Sequence, residues 1–187
     1  MSAPADTPGR GAPDDAINHH ATLILLGDRG VMIAGPSGSG KSALALALLA
    51  QCQGAGRFAR LVADDQVHLA RRGRSLVGYA PSAIAGLIEV RGLGPALVPH
   101  EPSALIDLVV ELVGAADVPR LQDAATRTIA GIDLPLLLLP ARDIVVSSAA
   151  ILAALAAICP PSAGVASNNM LAGGDDLGLS TSGGKTT

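Results

Sequence analysis

The stretch VMIAGPSGSGKSALALALLA, residues 31–50, places a glycine-rich loop between an apolar run and a run of Ala and Leu that favours a helix. Two patterns fit the loop. Residues 35–42 read G-x-x-x-x-G-K-S, typical of a phosphate-binding loop for a nucleoside triphosphate, and residues 38–43 read G-x-G-x-x-A, a looser dinucleotide pattern. We favour the first, because a dinucleotide site or a plain glycine turn requires no Lys-Ser pair.

Each residue type in the loop suits the binding of phosphate. Glycines let the backbone turn so that successive N–H groups converge on phosphate oxygens, and the following helix adds the positive end of its dipole. The lysine can reach the β and γ phosphates, and the serine hydroxyl can bind Mg²⁺. The predicted nucleotide-binding residues are Gly35, Pro36, Ser37, Gly38, Ser39, Gly40, Lys41 and Ser42.

Two carboxylates, Asp64 and Asp65, follow the apolar run Leu61-Val62-Ala63, which we predict to be a strand. Carboxylates at the carboxyl end of a strand beside a phosphate-binding loop stand where metal and attacking hydroxyl meet. One can help to hold Mg²⁺ and the other can accept a proton from the nucleophile. The pair is also typical of a solvated turn, and a dinucleotide site would use an acidic residue at the same place.

A further carboxylate interrupts the apolar run LIEV at residues 87–90. If this run is a strand, Glu89 and Arg91 share one face of it. A lone Glu at a strand edge is usually solvated. The glycines at 92 and 94 nevertheless suggest a loop that closes on a ligand, which makes Glu89 a predicted Mg²⁺ ligand beside Ser42.

Length and composition predict one domain with a sizeable core. The chain has 187 residues, of which 49% are hydrophobic and 16% charged. The low aromatic content, 1%, argues against base stacking, and the net charge of −3 gives no general attraction to nucleic acid or to an anionic membrane. The N-terminus shows no secretory signal, and the longest apolar run, residues 144–159, is too short to span a bilayer. We therefore expect a cytoplasmic protein.

The expected fold is α/β, a mixed sheet that contains the phosphate-binding loop, flanked by helices and extended by β-hairpins. Residues 1–17 and 160–187 are rich in small and polar residues and are predicted to be disordered, leaving a domain at 18–159. Within it we predict a helix at 41–53, a late strand at 144–147 and a closing helix at 149–158. The run 103–113 fits a strand or a helix, and its Val and Ile content favours the strand. Cys52 and Cys159 lack metal-ligand spacing and are predicted to be buried thiols.

Other polar residues support weaker interpretations. His19 and His20 precede the first long apolar run and, from local context alone, are a polar boundary. The arginines at 71, 72 and 74 indicate a solvated hairpin tip or a docking patch for an acidic partner, and Arg142-Asp143 is consistent with a simple turn.

Three segments in order, GPSGSGKSALALALL, LVADDQV and GYAPSAIAGLIEVRGLG, resemble the catalytic domain of the HPr kinase/phosphorylase family over residues 18–158. The resemblance is to the shortened proteobacterial versions. It implies an ATP- and Mg²⁺-dependent protein-serine kinase that acts on HPr, the phosphocarrier of the sugar phosphotransferase system. Phosphorolytic removal of the same phosphate is an open possibility, and so is a homo-oligomeric assembly.

The resemblance also implies roles for individual residues. Ser42 and Glu89 fall on the family's Mg²⁺ ligands, and the aspartate base falls on Asp64 or Asp65, of which we favour Asp64. A family histidine falls on His20 and a family arginine on Arg120. The loop linked to phosphorolysis corresponds to residues 139–143, with Arg142 in it. The predicted catalytic set is Asp64, Asp65, Lys41, His20 and Arg120.

Two other functions fit the same loop. One is a P-loop kinase for a small metabolite, which usually carries an arginine-rich lid. The other is a regulator that binds ATP without chemistry. Ala43, which stands where the family often has Glu, is a departure from the family pattern.

Overall fold

A computed structural model describes residues 11–158 of the chain. The predictions for residues 1–10, Cys159 and residues 160–187 lie outside this range. The strands are β1 Ile17–His19, β2 Ala21–Leu26, β3 Arg29–Ala34, β4 Ala59–Ala63, β5 Val67–Arg72, β6 Ser75–Tyr79, β7 Leu87–Val90, β8 Gly94–Leu97, β9 Ser103–Val113, β10 Ala125–Ile129 and β11 Ile132–Pro140. The helices are α1 Lys41–Gly54 and α2 Ile144–Ile158, with short 3₁₀ turns at Ser82–Ile84 and Ala115–Asp117.

The main sheet is mixed, as the sequence predicts. Its path runs β1-β5-β6-β9-β3-β2-β4, and β11, which pairs with both β9 and β10, adds the β10–β11 hairpin to the sheet. The strands β3, β9 and β11 are parallel neighbours, whereas β2 lies antiparallel between β3 and β4. Consequently β3, β4, β9 and β11 all end at the same edge of the sheet. Ligands of open α/β sheets bind outside that edge.

The two faces of the sheet bury different clusters, because successive side chains of a strand point to opposite faces. One cluster combines Ile24, Ile33 and Val110 with residues of both helices. The other combines their strand neighbours Leu23, Met32 and Val109 with residues of the strands β5, β6, β10 and β11. Helices therefore cover one face, and the sheet curls over the other. Both layers are filled mainly by Ala, Leu, Val and Ile, as expected from a chain with almost no aromatic side chains.

Several local predictions are confirmed. The helix after the glycine loop is α1, and it ends at Gly54 before Ala55 and the left-handed Gly56. The run at 103–113 is the long strand β9, and Cys52 is a buried free thiol. The β-hairpins expected from the sequence include β5–β6, whose tip carries the arginines, and β2–β3 is a further hairpin.

The strand predicted at 144–147 is wrong, because these residues form the first turn of α2. Asp143 caps that helix, its Oδ1 accepting a hydrogen bond from Val146 N at 3.1 Å. The cap outweighs the preference of Ile144, Val145 and Val146 for extended structure. The strand that precedes α2 is instead β11, which forms a hairpin with β10 that the sequence analysis did not predict.

Candidate active site

The glycine-rich loop, residues 35–40, lies between the end of β3 and the start of α1. Gly35, Gly38 and Gly40 have positive φ angles of 147°, 74° and 100°. Glycine adopts such angles readily, whereas residues with a Cβ rarely do. A Cβ on Gly35 would lie 2.9 Å from Ser39 Oγ and 3.0 Å from Leu112. The loop is therefore tightly folded onto β9, and its conformation depends on glycine.

Lys41 is the first residue of α1 and is buried. Its Nζ donates to the carbonyl oxygens of Gly35, at 3.1 Å, and Pro36, at 3.3 Å. Burial lowers the pKa of Lys41 below its ordinary value, while the charges of Asp65 and Asp64 act in the opposite direction. The ammonium group is thus held inside the loop by backbone dipoles and by two neighbouring carboxylates.

His20 connects Lys41 to Asp65. Its Nε2 lies 3.0 Å from Lys41 Nζ, and its Nδ1 lies 3.0 Å from the Asp65 carbonyl oxygen and 2.9 Å from Asp65 Oδ1. Because an ammonium group only donates, Nε2 is the acceptor, and the ring proton is on Nδ1, where it can be donated to Asp65. The three side chains form a chain of hydrogen bonds that crosses from β4 to α1.

Asp64 is the hub of the site. It is buried, and both of its oxygens accept hydrogen bonds: Oδ1 from Thr22 at 2.6 Å and from Ser42 at 2.9 Å, and Oδ2 from the Glu89 backbone N–H at 3.1 Å. A buried carboxylate needs such donors, because it loses its hydration on folding. The contacts join β2, α1 and β7 at the end of β4.

Asp65 differs from its neighbour in environment. Its side chain is largely exposed, and its backbone has a φ of 66°, the left-handed conformation that Asp tolerates better than most residues. This turn directs consecutive aspartates to two places, one into the protein beside Ser42 and the other outward beside His20. The pair is therefore not a simple solvated turn.

Arg142 follows β11 and lies against the glycine loop. Its Nε donates to Gly38 O at 3.0 Å, and its backbone N–H donates to Ser39 O at 2.9 Å. Its φ of 65° is a conformation that costs free energy for a residue with a Cβ. The segment that follows β11 thus stabilises the glycine loop through two hydrogen bonds from Arg142.

The structure brings together most of the predicted site residues. Lys41, His20 and Asp65 form one hydrogen-bonded group. Ser42 and Asp64 form a second group, which Glu89 joins through its backbone while its side chain is exposed. The two groups make up one cluster because Lys41 precedes Ser42 and Asp64 precedes Asp65 in the chain. Within residues 11–158, no hydrogen bond or ion pair links Arg120 or Arg91 to this cluster. Arg120 is exposed in the loop that follows β9, at the same edge of the sheet.

The arginines of the β5–β6 hairpin lie away from the cluster. Val67 is close to Asp65, and Arg72 is at the other end of β5, about 17 Å along the strand at about 3.3 Å per residue. Arg71 donates to Gly73 O and Arg72 lies 3.9 Å from Asp15. A docking role for this tip stays a prediction.

Sequence reasoning missed Thr22. It is fully buried, and its hydroxyl makes the shortest hydrogen bond of the cluster. The available signal was a single polar residue inside the apolar run ATLILL, at a position that a sheet buries.

The oxygen donors beside Ser42 fit a magnesium ion. In the described part of the chain, no three His, Cys, Asp or Glu side chains converge as a complete ligand set. Mg²⁺ does not need one, because it typically binds one or two carboxylates, keeps several waters and shares substrate phosphates. The Ser42 hydroxyl and the Asp64 carboxylate, with Glu89 adjacent, supply hard oxygen ligands of this kind.

Comparison with known proteins identifies a family model, related proteins and a solved structure that this chain resembles. A family model described as the HPr Serine kinase C-terminal domain matches residues 14–172. The chain belongs to this family. A protein named HPr kinase/phosphorylase from Limosilactobacillus reuteri is 34% identical over 148 residues, covering 70% of this chain and 44% of its own. A protein of the same name from Nitrosomonas europaea is 46% identical over 80 residues, which cover 42% of this chain and 23% of that protein.

A solved structure of this family has the same fold. The structure of the Hpr(Ser) kinase/phosphatase from Coxiella burnetii superposes with a TM-score of 0.65 at 27% identity, covering 76% of this chain and 92% of that one. The match to the L. reuteri protein spans less than half of that relative's length. No helix within residues 11–158 is long and apolar enough to cross a membrane.

Proposed function

We propose that this protein is an ATP-dependent kinase that phosphorylates a serine of an HPr-like phosphocarrier protein. The observation that carries the proposal is the convergence of three sequence motifs on Asp64. The glycine loop contributes Ser42, the strand end contributes Asp64 itself, and the segment around Glu89 contributes a backbone N–H. Residues 22 and 25 positions from Asp64 thereby form one site that joins phosphate binding to a buried carboxylate.

Each part of the site has a task in phosphoryl transfer. The backbone N–H groups of residues 35–41, except that of Pro36, which has none, and the Lys41 ammonium bind the triphosphate at the positive end of the α1 dipole. The serine hydroxyl oxygen of the partner attacks the γ-phosphorus, the bond to the β–γ bridging oxygen breaks, and ADP leaves. Asp64 accepts the hydroxyl proton. Asp65 and His20 lie on the exposed side and orient Lys41.

The proposed site of magnesium is beside the Ser42 hydroxyl. Ser42 and Glu89 would hold it, with Asp64 adjacent. When bound it neutralises charge on the phosphate oxygens. Arg91 directly follows β7, and Arg120 is in the loop that follows β9. We assign both arginines to the stabilisation of charge on the transferred phosphoryl group. ATP and Mg²⁺ are thus the proposed cosubstrate and cofactor.

A protein substrate suits the surface around the site better than a small metabolite. Leu93, Leu121 and Val145 are 77%, 83% and 80% exposed. They belong respectively to the β7–β8 turn, the loop after β9 and the first turn of α2. The strand β7 contacts Asp64 through Glu89, and β9 and β11 end at the edge of the sheet that carries the site. Apolar side chains exposed beside a catalytic edge are typical of an interface with another protein.

Phosphorolysis is a second candidate activity, favoured by the position of Arg142 at the glycine loop. A guanidinium group there is suited to inorganic phosphate. Phosphate oxygen would attack the phosphorus of phosphoserine, releasing the serine hydroxyl and pyrophosphate. Incubation of phosphorylated HPr with inorganic phosphate tests this, and absence of pyrophosphate contradicts it.

The kinase proposal is tested by transfer of labelled phosphate. HPr, labelled ATP and Mg²⁺ with the protein should yield label on one serine. A folded protein that transfers none contradicts the proposal. Asp64→Asn is expected to lower kcat about 10²- to 10⁴-fold while the variant still binds ATP. A pure regulator would show no turnover in the wild type, and a metabolite kinase would turn over ATP with a small acceptor in place of HPr.

A further inference from the structure

Thr22 is the polar residue of β2, a strand otherwise composed of Ala, Leu and Ile. The antiparallel register of β2 with β4 pairs Leu23 with Ala63. Thr22 therefore stands across from the residue that follows β4, which is Asp64. The pairing of two strands places a hydroxyl and a carboxylate together in the interior.

The contact between them is short. Thr22 Oγ1 donates to Asp64 Oδ1 at 2.6 Å, a length typical of a hydrogen bond to a charged acceptor. A hydroxyl has one proton, and that of Thr22 is committed to Asp64. Thr22 is fully buried, so water does not replace it easily.

The other two donors to Asp64 are less constrained. Ser42 has a second task in the proposed function, because its oxygen also serves the metal. The Glu89 N–H belongs to the β7–β8 hairpin, a separate two-stranded sheet. Thr22 alone of the three lies in the main sheet, where β2 is flanked by β3 and β4.

We infer that Thr22 is a positioning residue for phosphoryl transfer. Its hydroxyl holds Oδ1 and so fixes the rotation of the Asp64 carboxylate relative to Ser42 and to the incoming serine hydroxyl. The inference rests on the proposed kinase function, in which Asp64 takes the proton. A misplaced catalytic group costs rate even when substrate binding is intact.

Two variants separate the hydroxyl from the shape of the side chain. Thr22→Val removes the hydroxyl and keeps the branched shape, whereas Thr22→Ser keeps the hydroxyl and removes the methyl group. Thr22→Val should lower kcat about 10- to 100-fold, with the KM for ATP and the affinity for a non-hydrolysable ATP analogue little changed. Thr22→Ser should retain most of the wild-type kcat.

Ile33→Val is the matched control. Ile33 pairs with Thr22 across β2 and β3 and is fully buried, but contributes no polar group. This variant should lower the thermal unfolding midpoint without a selective loss of kcat. If Thr22→Val and Ile33→Val lose activity only in proportion to the folded fraction, Thr22 is a structural residue and the inference is overturned.

Crystal structures of the two Thr22 variants separate this inference from the proposed function. We expect the Asp64 carboxylate to rotate in Thr22→Val and to keep its orientation in Thr22→Ser. An unmoved carboxylate in Thr22→Val overturns the positioning role whatever the activity. A wild-type protein that transfers no phosphate to HPr instead overturns the kinase proposal, while rotation in Thr22→Val would still support the structural part.

Discussion

Lys41 Nζ lies 3.0 Å from His20 Nε2, although 21 residues separate the two in sequence. The same ring faces Asp65 through Nδ1. A buried ammonium, a neutral imidazole and an exposed carboxylate thus form a continuous path from the glycine loop to the surface. Because the imidazole accepts from one and donates to the other, the position of each depends on the other two.

The first prediction concerns this path. His20→Ala and Asp65→Asn should each lower kcat by about tenfold or more, since each lets Lys41 shift in the loop. The double variant should have a kcat little lower than that of either single variant, because the effects of substitutions within one hydrogen-bonded network are not additive. Steady-state kinetics with HPr measure this. Fully additive losses would show that His20 and Asp65 act independently.

The second prediction concerns the charge of Lys41. Burial lowers its pKa below the ordinary 10.5, so the charged form costs free energy in the folded state at pH values below the lowered pKa. Lys41→Met should therefore keep or raise the thermal unfolding midpoint at neutral pH. It should weaken ATP binding about 10- to 100-fold, the equivalent of a charge-assisted hydrogen bond.

The sign of the pH dependence provides a check. The cost of the buried charge disappears as the pH rises from the lowered folded-state pKa to 10.5, so the wild type should gain stability relative to Lys41→Met over that interval. Arg60→Met, which removes a cation that stacks on Phe58 outside the site, is the control for ATP binding. An unfolding midpoint of Lys41→Met well below the wild type at neutral pH would contradict the assignment.

The third prediction concerns Glu89. Its backbone N–H, not its side chain, contacts Asp64, so Glu89→Gln should leave the fold intact. If the carboxylate binds Mg²⁺, the concentration of Mg²⁺ for half-maximal activity should rise about tenfold or more. Asp133→Asn, which alters a carboxylate bound to Thr128 in the β10–β11 hairpin, should leave the Mg²⁺ dependence unchanged. Equal Mg²⁺ curves for Glu89→Gln and wild type would exclude Glu89 as a ligand.

The fourth prediction concerns the start of α2. Asp143→Ala removes the side chain that accepts from Val146 N, and should lower the free energy of unfolding by about 1 kcal/mol. The corresponding fall in the unfolding midpoint is about 2–4 °C for a chain of this size. Asp143→Asn should lose much less, because Asn caps nearly as well. Equal losses in both variants would assign the effect to charge and not to the cap.

The glycine loop, α1 and the paired aspartates could be predicted because their signals are local. A glycine with φ of 100° before Lys41, and a helix without Gly or Pro until residue 54, depend on neighbours in the chain. The order of the three motifs then indicated the family, since each motif occupies a fixed place after the previous one.

One error had a local cause, and the rest depended on contacts between residues far apart in the chain. The strand predicted at 144–147 was wrong because a cap at Asp143 outweighed local propensity. The role of His20 came only from resemblance, that of Glu89 from a charged residue in an apolar run and from resemblance, and Thr22 was not predicted at all. Their contacts with Lys41 and Asp64 span 21, 25 and 42 residues. A pattern of neighbouring residues does not predict contacts over such distances in the sequence.

The sequence by itself determined that a phosphate-binding loop begins a helix and that two aspartates end the next strand, because backbone conformation and apolar periodicity are set within a few residues. Only the tertiary structure decided that Asp64 points inward to Ser42 and Thr22 while Asp65 points outward to His20. The register of β2 on β4 and the left-handed turn at Asp65 make that choice. The register joins residues about 40 positions apart, so residues adjacent in the chain do not specify which aspartate faces the interior.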